Sequence, residues 1–306
     1  MRNYRAHAVL LVALAALSLA GCTNGGDDGS DQSEPSIQIK PVVSYSDLVF
    51  PVARYAISDE DQNAYLAAVA VEQRACARRF GVEDTMKLSS QPTTFDLGTV
   101  RRYGVVKKDE VDLYGYNLPP DFDPGDNESK ANGDGWDPSA MEQEVMQGVK
   151  PDGGPATVKT SDGSPLPKNG CGTEGFRQIW GSDKPPTEDQ LVDQVFTEAW
   201  TLTLNDSRAI KAAKVWASCM SKHGYTFKHR WDAGNSVKDA SQGAKVRMAK
   251  LDLSCALKTN YLGVWNAVDA AYQQRLITKY QGQFEAAEDA QRTMMSRVAH
   301  VLRDGA

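Results

Sequence analysis

The sequence is poor in histidine and lacks the short patterns on which common enzyme classes depend. Four histidines occur in 306 residues and none stands in a His-Glu-x-x-His pattern, so a zinc hydrolase would lack its ligands. There is also no Gly-x-Ser-x-Gly nucleophile turn and no glycine-rich phosphate loop. We therefore predict no catalytic residue, no metal and no cofactor.

The chain also lacks an apolar run long enough to cross a bilayer as a permanent helix. The run from Ala8 to Ala20 contains a single polar residue, Ser18, and ends at a glycine-rich acidic stretch. A spanning helix needs about 20 apolar residues. Because Arg2 and Arg5 precede this short run, it predicts that residues 1–21 are a signal peptide.

The residues Leu19-Ala20-Gly21-Cys22 resemble the lipobox of bacterial lipoproteins, in which the cysteine receives a diacylglyceryl group before cleavage. We expect Cys22 to be lipidated and to hold the mature chain on the outer face of the bacterial cytoplasmic membrane. Two acyl chains anchor a protein stably, since each buried methylene contributes about 0.8 kcal/mol. The alternative is an ordinary secretory signal that is cut near Ala20.

The part that follows Cys22 is polar and then acidic. Residues 22–36 carry almost only small and polar side chains, which predicts a flexible, lipidated tether. Removal of residues 1–21 takes away two positive charges and no negative one, so the formal charge changes from −6 to −8. An acidic domain offers no electrostatic attraction to nucleic acid or to anionic lipid, and we expect no nucleic-acid partner.

Four cysteines remain after Cys22, and an even number outside the cytosol predicts two disulfides. They are Cys76, Cys171, Cys219 and Cys255. Four cysteines allow three pairings. A zinc site is the competing interpretation, but none of the four stands in a Cys-x-x-Cys pair.

Helical spacing of apolar residues predicts a mainly α-helical, disulfide-stapled domain with a first half at 37–180 and a C-terminal half at 181–306. Capping residues mark the expected helices. These run from Ser58 to about Arg79, from Thr187, from Asn205 or Asp206 to Gly224, and from Ser241 to Leu302, the last as one helix or as two broken near Gly263 or Gly282.

A long loop-rich insertion interrupts the first half between Gln91 and Gly170, where proline, glycine, asparagine and aspartate recur. Only Lys108 to Leu113 and Ser139 to Gly148 have helical character within it. Thr157 to Leu166 could form a small hairpin around Asp162-Gly163.

An internal echo suggests how the cysteines pair. Cys76 and Cys219 each lie five residues before a glycine, Gly81 or Gly224, that is placed to end a helix. Each is followed by a second cysteine and then by a tryptophan, as in a diverged duplication of one helical unit. We therefore predict the pairs Cys76–Cys171 and Cys219–Cys255.

One stretch interleaves positive charge with aromatic residues and is the candidate binding patch. It consists of Lys222, Tyr225, Lys228, His229, Arg230 and Trp231. Cation and stacking contacts of this kind bind an anionic wall polymer or a peptide carboxylate. The alternative is a solvated turn whose Phe227 and Trp231 lie in the core.

Several motifs are similar to those of uncharacterised secreted lipoproteins that are common in actinobacteria. They are Arg101-Arg102-Tyr103-Gly104, Tyr114-Gly115-Tyr116, Gly170-Cys171-x-x-Glu174, Trp216-x-x-Cys219-Met220 to Gly224-Tyr225, and Asp252-x-x-Cys255 to Trp265. The resemblance covers most of the chain from about Phe50 to Tyr280. It implies export and the cysteine pattern, and it implies no activity.

These observations favour a binding or accessory module at the cell surface, whose partner is a cell-wall component or a membrane protein complex. The alternative is a wall hydrolase with paired carboxylates in the loop region. The acidic stretch from Asp121 to Asp137 offers oxygen ligands of the kind that calcium binds, but its spacing does not match an EF-hand loop, which favours a solvated loop.

The lipid anchor gives a first test. Replacing Cys22 with serine removes the thiol that accepts the lipid, so the variant should leave the membrane fraction and appear in the soluble fraction. Cell fractionation followed by immunoblotting measures the distribution. Retention of the variant in the membrane at the original level would contradict the anchor.

Overall fold

The computed structural model describes residues 33–83, 101–119, 138–182 and 188–304. Cys22, most of the predicted tether and the acidic stretch from Asp121 to Asp137 lie outside these residues. Within them the protein forms ten α-helices and no strand, which confirms the mainly α-helical fold.

The helices follow one another along the chain with short connections after residue 188. They are α1 (Asp59–Arg78), α2 (Lys108–Tyr114), α3 (Ala140–Gln147), α4 (Gly170–Trp180), α5 (Glu188–Asn205), α6 (Ser207–Ser221), α7 (Arg230–Asn235), α8 (Gln242–Lys258), α9 (Tyr261–Lys279) and α10 (Gln281–Asp304). In one layer α1 packs against α4 and α10; in another α9 packs against α5 and α6, and α8 against α2.

The compact unit begins at Pro35, inside the segment predicted as tether. The Pro35 carbonyl accepts a hydrogen bond of 2.6 Å from Arg208, and Ile37 packs against the core, so the last two predicted tether residues belong to the fold. Residues 35–49, which we call the strap, contain no helix or strand apart from one 3-10 turn, Tyr45–Asp47. The described parts of both predicted halves belong to this same unit.

Several helix ends follow the predicted caps. The Ser58 hydroxyl accepts the Asp61 N–H at 3.1 Å at the start of α1, and Asp206 caps α6. Gly81 and Gly224 adopt φ values of +79° and +84° at the ends of α1 and α6. Only glycine adopts this left-handed conformation without strain.

The C-terminal region differs from the prediction, because it contains three helices and not one or two. The chain breaks at Asn260, which has a φ of +50°, and again at Tyr280. Gly263 and Gly282 both lie inside helices, close after these breaks. The predicted hairpin is present only as isolated bridges, one of them between Lys159 and Pro165, on either side of Gly163.

Both disulfides have the predicted pairing. Cys76 in α1 is bonded to Cys171 in α4 with a Cα–Cα distance of 5.5 Å, and Cys219 in α6 to Cys255 in α8 with 5.7 Å. Each bridge therefore joins two helices of its own layer. Closing loops of these lengths stabilises the folded state by about 4–5 kcal/mol in the chain-entropy model.

A buried carboxylate, Asp252 of α8, organises the centre of the second layer. It accepts hydrogen bonds from Arg230 at 2.7 Å, from the Trp216 indole at 3.0 Å and from the Tyr116 hydroxyl at 3.1 Å. Burial raises the pKa of Asp252, and the Arg230 guanidinium opposes part of that rise. Since a buried charge needs such partners, these contacts fix α7, α6 and the segment after α2 around α8.

A second buried carboxylate, Asp269 of α9, receives Arg102 and the Tyr103 hydroxyl, the latter at 2.6 Å. Burial raises the pKa of Tyr103 well above its ordinary value. Asn266, one turn earlier, donates to the Tyr103 hydroxyl and exchanges two hydrogen bonds with the backbone of Val49.

None of the described helices has both the length and the apolar character that crossing a membrane requires.

The strap lies so close to Gly263 that no side chain fits at this position. A Cβ at this position would overlap the carbonyl oxygen of Lys40, whereas a Cβ at Gly282 would meet no atom within 4 Å. Gly263→Ala should therefore lower stability by about 1–3 kcal/mol, the usual cost of overpacking. Gly282→Ala should raise it by up to about 1 kcal/mol, because alanine favours helix. Denaturant unfolding of both variants measures the difference, and equal effects would contradict the close strap contact.

Candidate binding site

The candidate site is built on the extended segment that joins α6 to α7. In an extended chain, alternate side chains share a face. Accordingly Tyr225 stacks on Phe227 with ring centroids 5.8 Å apart. At the start of α7, His229, the N-cap residue, stacks on Trp231 of the first helical turn at 4.3 Å with an interplanar angle of 7°. Asp232 holds the turn into α7 by accepting the backbone N–H of Lys228 and that of His229.

Trp231 is the exposed member of a larger aromatic group, with 42% of its surface accessible. Its ring lies 6.4 Å from Trp200 of α5 and 6.5 Å, edge to face, from the buried Trp265 of α9. Trp200 and Trp265 are themselves 5.3 Å apart. We call the half-exposed rings at this surface, Phe196, Trp200, His229 and Trp231, the Trp231 platform.

Arg102 fixes the α5 side of the platform. Its guanidinium lies 3.5 Å from the ring centroid of Phe196 and 5.0 Å from that of Trp200. The same group donates to both oxygens of Asp269 and to the Phe196 carbonyl at 2.6 Å. A cation held between two rings in this way stabilises their positions.

The structure separates the residues of the predicted patch. Lys222, Tyr225, Lys228 and Trp231 are exposed and His229 is half-buried. Arg230 is not part of the surface: its residue is 2% exposed, and besides Asp252 its guanidinium donates to the carbonyls of Tyr103 and Val105 at 2.5 and 2.6 Å. It was predicted to bind a ligand because it stands in a run of charge, and it instead neutralises a buried acid.

Sequence reasoning missed Phe196, Trp200 and Arg102, because they are far from Trp231 along the chain. The spacing of Phe196 and Trp200 could have indicated an aromatic pair, since residues four apart lie on one face of a helix. Phe227 does pack towards the core, as the alternative interpretation had it, with its ring 6.3 Å from Trp216. Trp231, in contrast, is exposed at the surface.

The described residues hold one group of three potential metal ligands, Cys219, His223 and Cys255. The two sulfur atoms are bonded to each other, so only the imidazole is available as a ligand.

A cavity of about 310 Å³ lies between the strap and α9, and another of about 420 Å³ lies between α5 and α10. Neither is lined by two carboxylates; Asp47 in the first accepts the N–H groups of Val43 and Ser44.

The fold and the site together define a disulfide-bridged helical domain with an aromatic surface. Comparison with protein-family models, with curated proteins and with solved structures found no match. The similarity to secreted lipoproteins stays a prediction that rests on the motifs alone.

The two neighbouring cations Lys228 and Arg230 allow a matched test of the site's construction. Arg230→Met leaves Asp252 buried without its cation and should lower the free energy of unfolding by about 3–5 kcal/mol. Lys228→Met changes an exposed side chain and should alter it by no more than about 0.5 kcal/mol. Denaturant unfolding with both disulfides intact is the measurement, and a similar loss in both variants would contradict the assignment of Arg230 to the interior.

Proposed function

We propose that this chain is a lipid-anchored protein on the outer face of the bacterial cytoplasmic membrane, and that its folded unit binds a cell-wall glycan through the Trp231 platform. The observation that carries the proposal is the exposed Trp231 ring, stacked flat on His229 and backed by Trp200 and Trp265. The anchor is supported by the lipobox that ends at Cys22.

A rigid aromatic surface suits a sugar because a pyranose ring presents a face of C–H bonds that packs on a π-system, while its hydroxyl groups stay in water. Aromatic side chains bury a large area and lose little conformational entropy on binding. The rings of the platform are already held by one another and by Arg102, so binding need not order them.

The charges around the platform favour a glycan that carries an acidic group. The mature chain is acidic, yet Lys228, which precedes His229 of the platform, is exposed. The nearby carboxylate of Asp232 is half-buried and accepts the backbone N–H groups of Lys228 and His229. A lysine next to a stacking ring adds a local attraction to a carboxylate or phosphate on the polymer. The protein as a whole would repel the same polymer.

The wall hydrolase receives no support from the described residues. The buried acids Asp252 and Asp269 are each paired with an arginine, and Glu144 accepts backbone N–H groups from Thr157 and Val158. The hydrogen bonds from that loop hold the pKa of Glu144 below its ordinary value. Such carboxylates maintain the fold and do not converge on a cleft.

Sedimentation with purified cell walls tests the proposal, using soluble protein that carries Cys22→Ser. Trp231→Ala should weaken wall binding about tenfold or more, as expected for a central aromatic contact, and Trp231→Phe should weaken it less. The melting temperature should change little because the ring is half-exposed.

Ile210→Ala is the matched control, since Ile210 is also 40% exposed but lies on α6, outside the platform and outside the predicted patch. It should bind walls as the parent does. Binding that is unchanged in Trp231→Ala, or absent in the parent protein, would contradict a glycan-binding role and leave a partner protein as the occupant of this surface.

A further inference from the structure

The strap carries an unusual share of the exposed apolar surface. Of the eleven large apolar side chains that are well exposed in the described residues, three lie on these fifteen residues: Ile39 at 48%, Val43 at 62% and Val49 at 54%. Exposed apolar groups are common singly but mark contact surfaces when they gather. Their concentration on one short segment therefore needs an explanation.

The strap is fixed to the protein by its backbone, so its outward side chains keep their places. The Pro35 carbonyl accepts from Arg208, the Lys40 carbonyl approaches Gly263, and Val49 exchanges two hydrogen bonds with Asn266. Val42 turns inward and is 4% exposed. The outward side chains are consequently presented on a firm support.

The strap is also the part of the folded unit to which the predicted anchor is joined. From Cys22 to Pro35 the chain spans about 45 Å when fully extended and about 20 Å as a flexible coil. A folded unit of this length has a radius of gyration of about 19 Å. The tether therefore holds the strap within about 45 Å of the lipid anchor, and its flexible length of about 20 Å is comparable to the size of the folded unit.

The charge of the strap removes the electrostatic objection to lipid contact. Residues 35–49 contain one cation, Lys40, and one anion, Asp47, and are neutral overall in a chain whose mature part carries −8. A neutral apolar segment can enter the lipid interface without the repulsion that anionic lipids exert on the rest of the domain.

We propose that the strap lies on the bilayer surface, with Ile39, Val43 and Val49 at the lipid interface as a second contact beside the Cys22 lipid. This rests on the anchor of the proposed function.

A test can supply the anchor chemically, because Cys22 is the only cysteine outside the two disulfides. The mature chain is coupled through the Cys22 thiol to maleimide-bearing lipid in phosphatidylcholine vesicles, or to maleimide-polyethylene glycol as reference. Hydrogen–deuterium exchange of peptides from residues 36–44 is then compared. Strap amides should exchange about tenfold more slowly on vesicles, which corresponds to about 1.4 kcal/mol of interfacial burial.

The triple substitution Ile39→Ser, Val43→Ser and Val49→Ser should abolish this protection. Ile210→Ser with Val215→Ser, two exposed apolar residues of α6, is the matched control and should preserve it. Equal exchange on vesicles and on polyethylene glycol, or protection that survives the triple substitution, would overturn the strap contact. Such a failure says nothing against lipidation in cells, which the fractionation of Cys22→Ser decides separately.

Discussion

A carboxylate buried in a protein must be surrounded by donors, and Asp252 meets this constraint with groups from three separate parts of the chain. Arg230, Trp216 and Tyr116 all point to it, and the remaining N–H groups of Arg230 close onto the backbone of residues 103 and 105. The position of Arg230 in turn sets that of Trp231, its neighbour in α7. With Arg230 held inward, Trp231 must emerge about 100° around the helix, on the surface.

The same network accounts for several of the motifs on which the predicted similarity to secreted lipoproteins rests. A Cβ at Gly104 would lie 3.2 Å from the guanidinium of Arg230, and a Cβ at Gly115 would lie 2.9 Å from the backbone nitrogen of Val246. Tyr116 and Asp252 are partners in one hydrogen bond. The residues of these motifs therefore make contacts at the centre of the domain, and they give little information about what the surface binds.

The sequence predicted features that form within one helical turn much better than contacts between residues that are distant along the chain. The caps at Ser58 and Asp206 and the glycine stops at Gly81 and Gly224 act within one helical turn, so short patterns predicted them. The cysteine pairs were predicted because two copies of one pattern implied one bridge each. The burial of Arg230 was not predicted, because it depends on the buried carboxylate of Asp252, which lies 22 residues further along the chain. Phe196 and Trp200 joined the platform through tertiary packing that no local pattern shows.

In the proposed lipid-anchored protein the strap would also bear mechanical load. Tension from the anchor would enter at Pro35 and pass to α6 through Arg208, and to the start of α9 through Asn266. Because the Cys219–Cys255 bond joins α6 covalently to α8, a pull on the first of these paths is shared by the helices around Asp252. A pull on the proposed anchor would therefore load the hydrogen bonds of the strap before it reached the helices that these bonds hold.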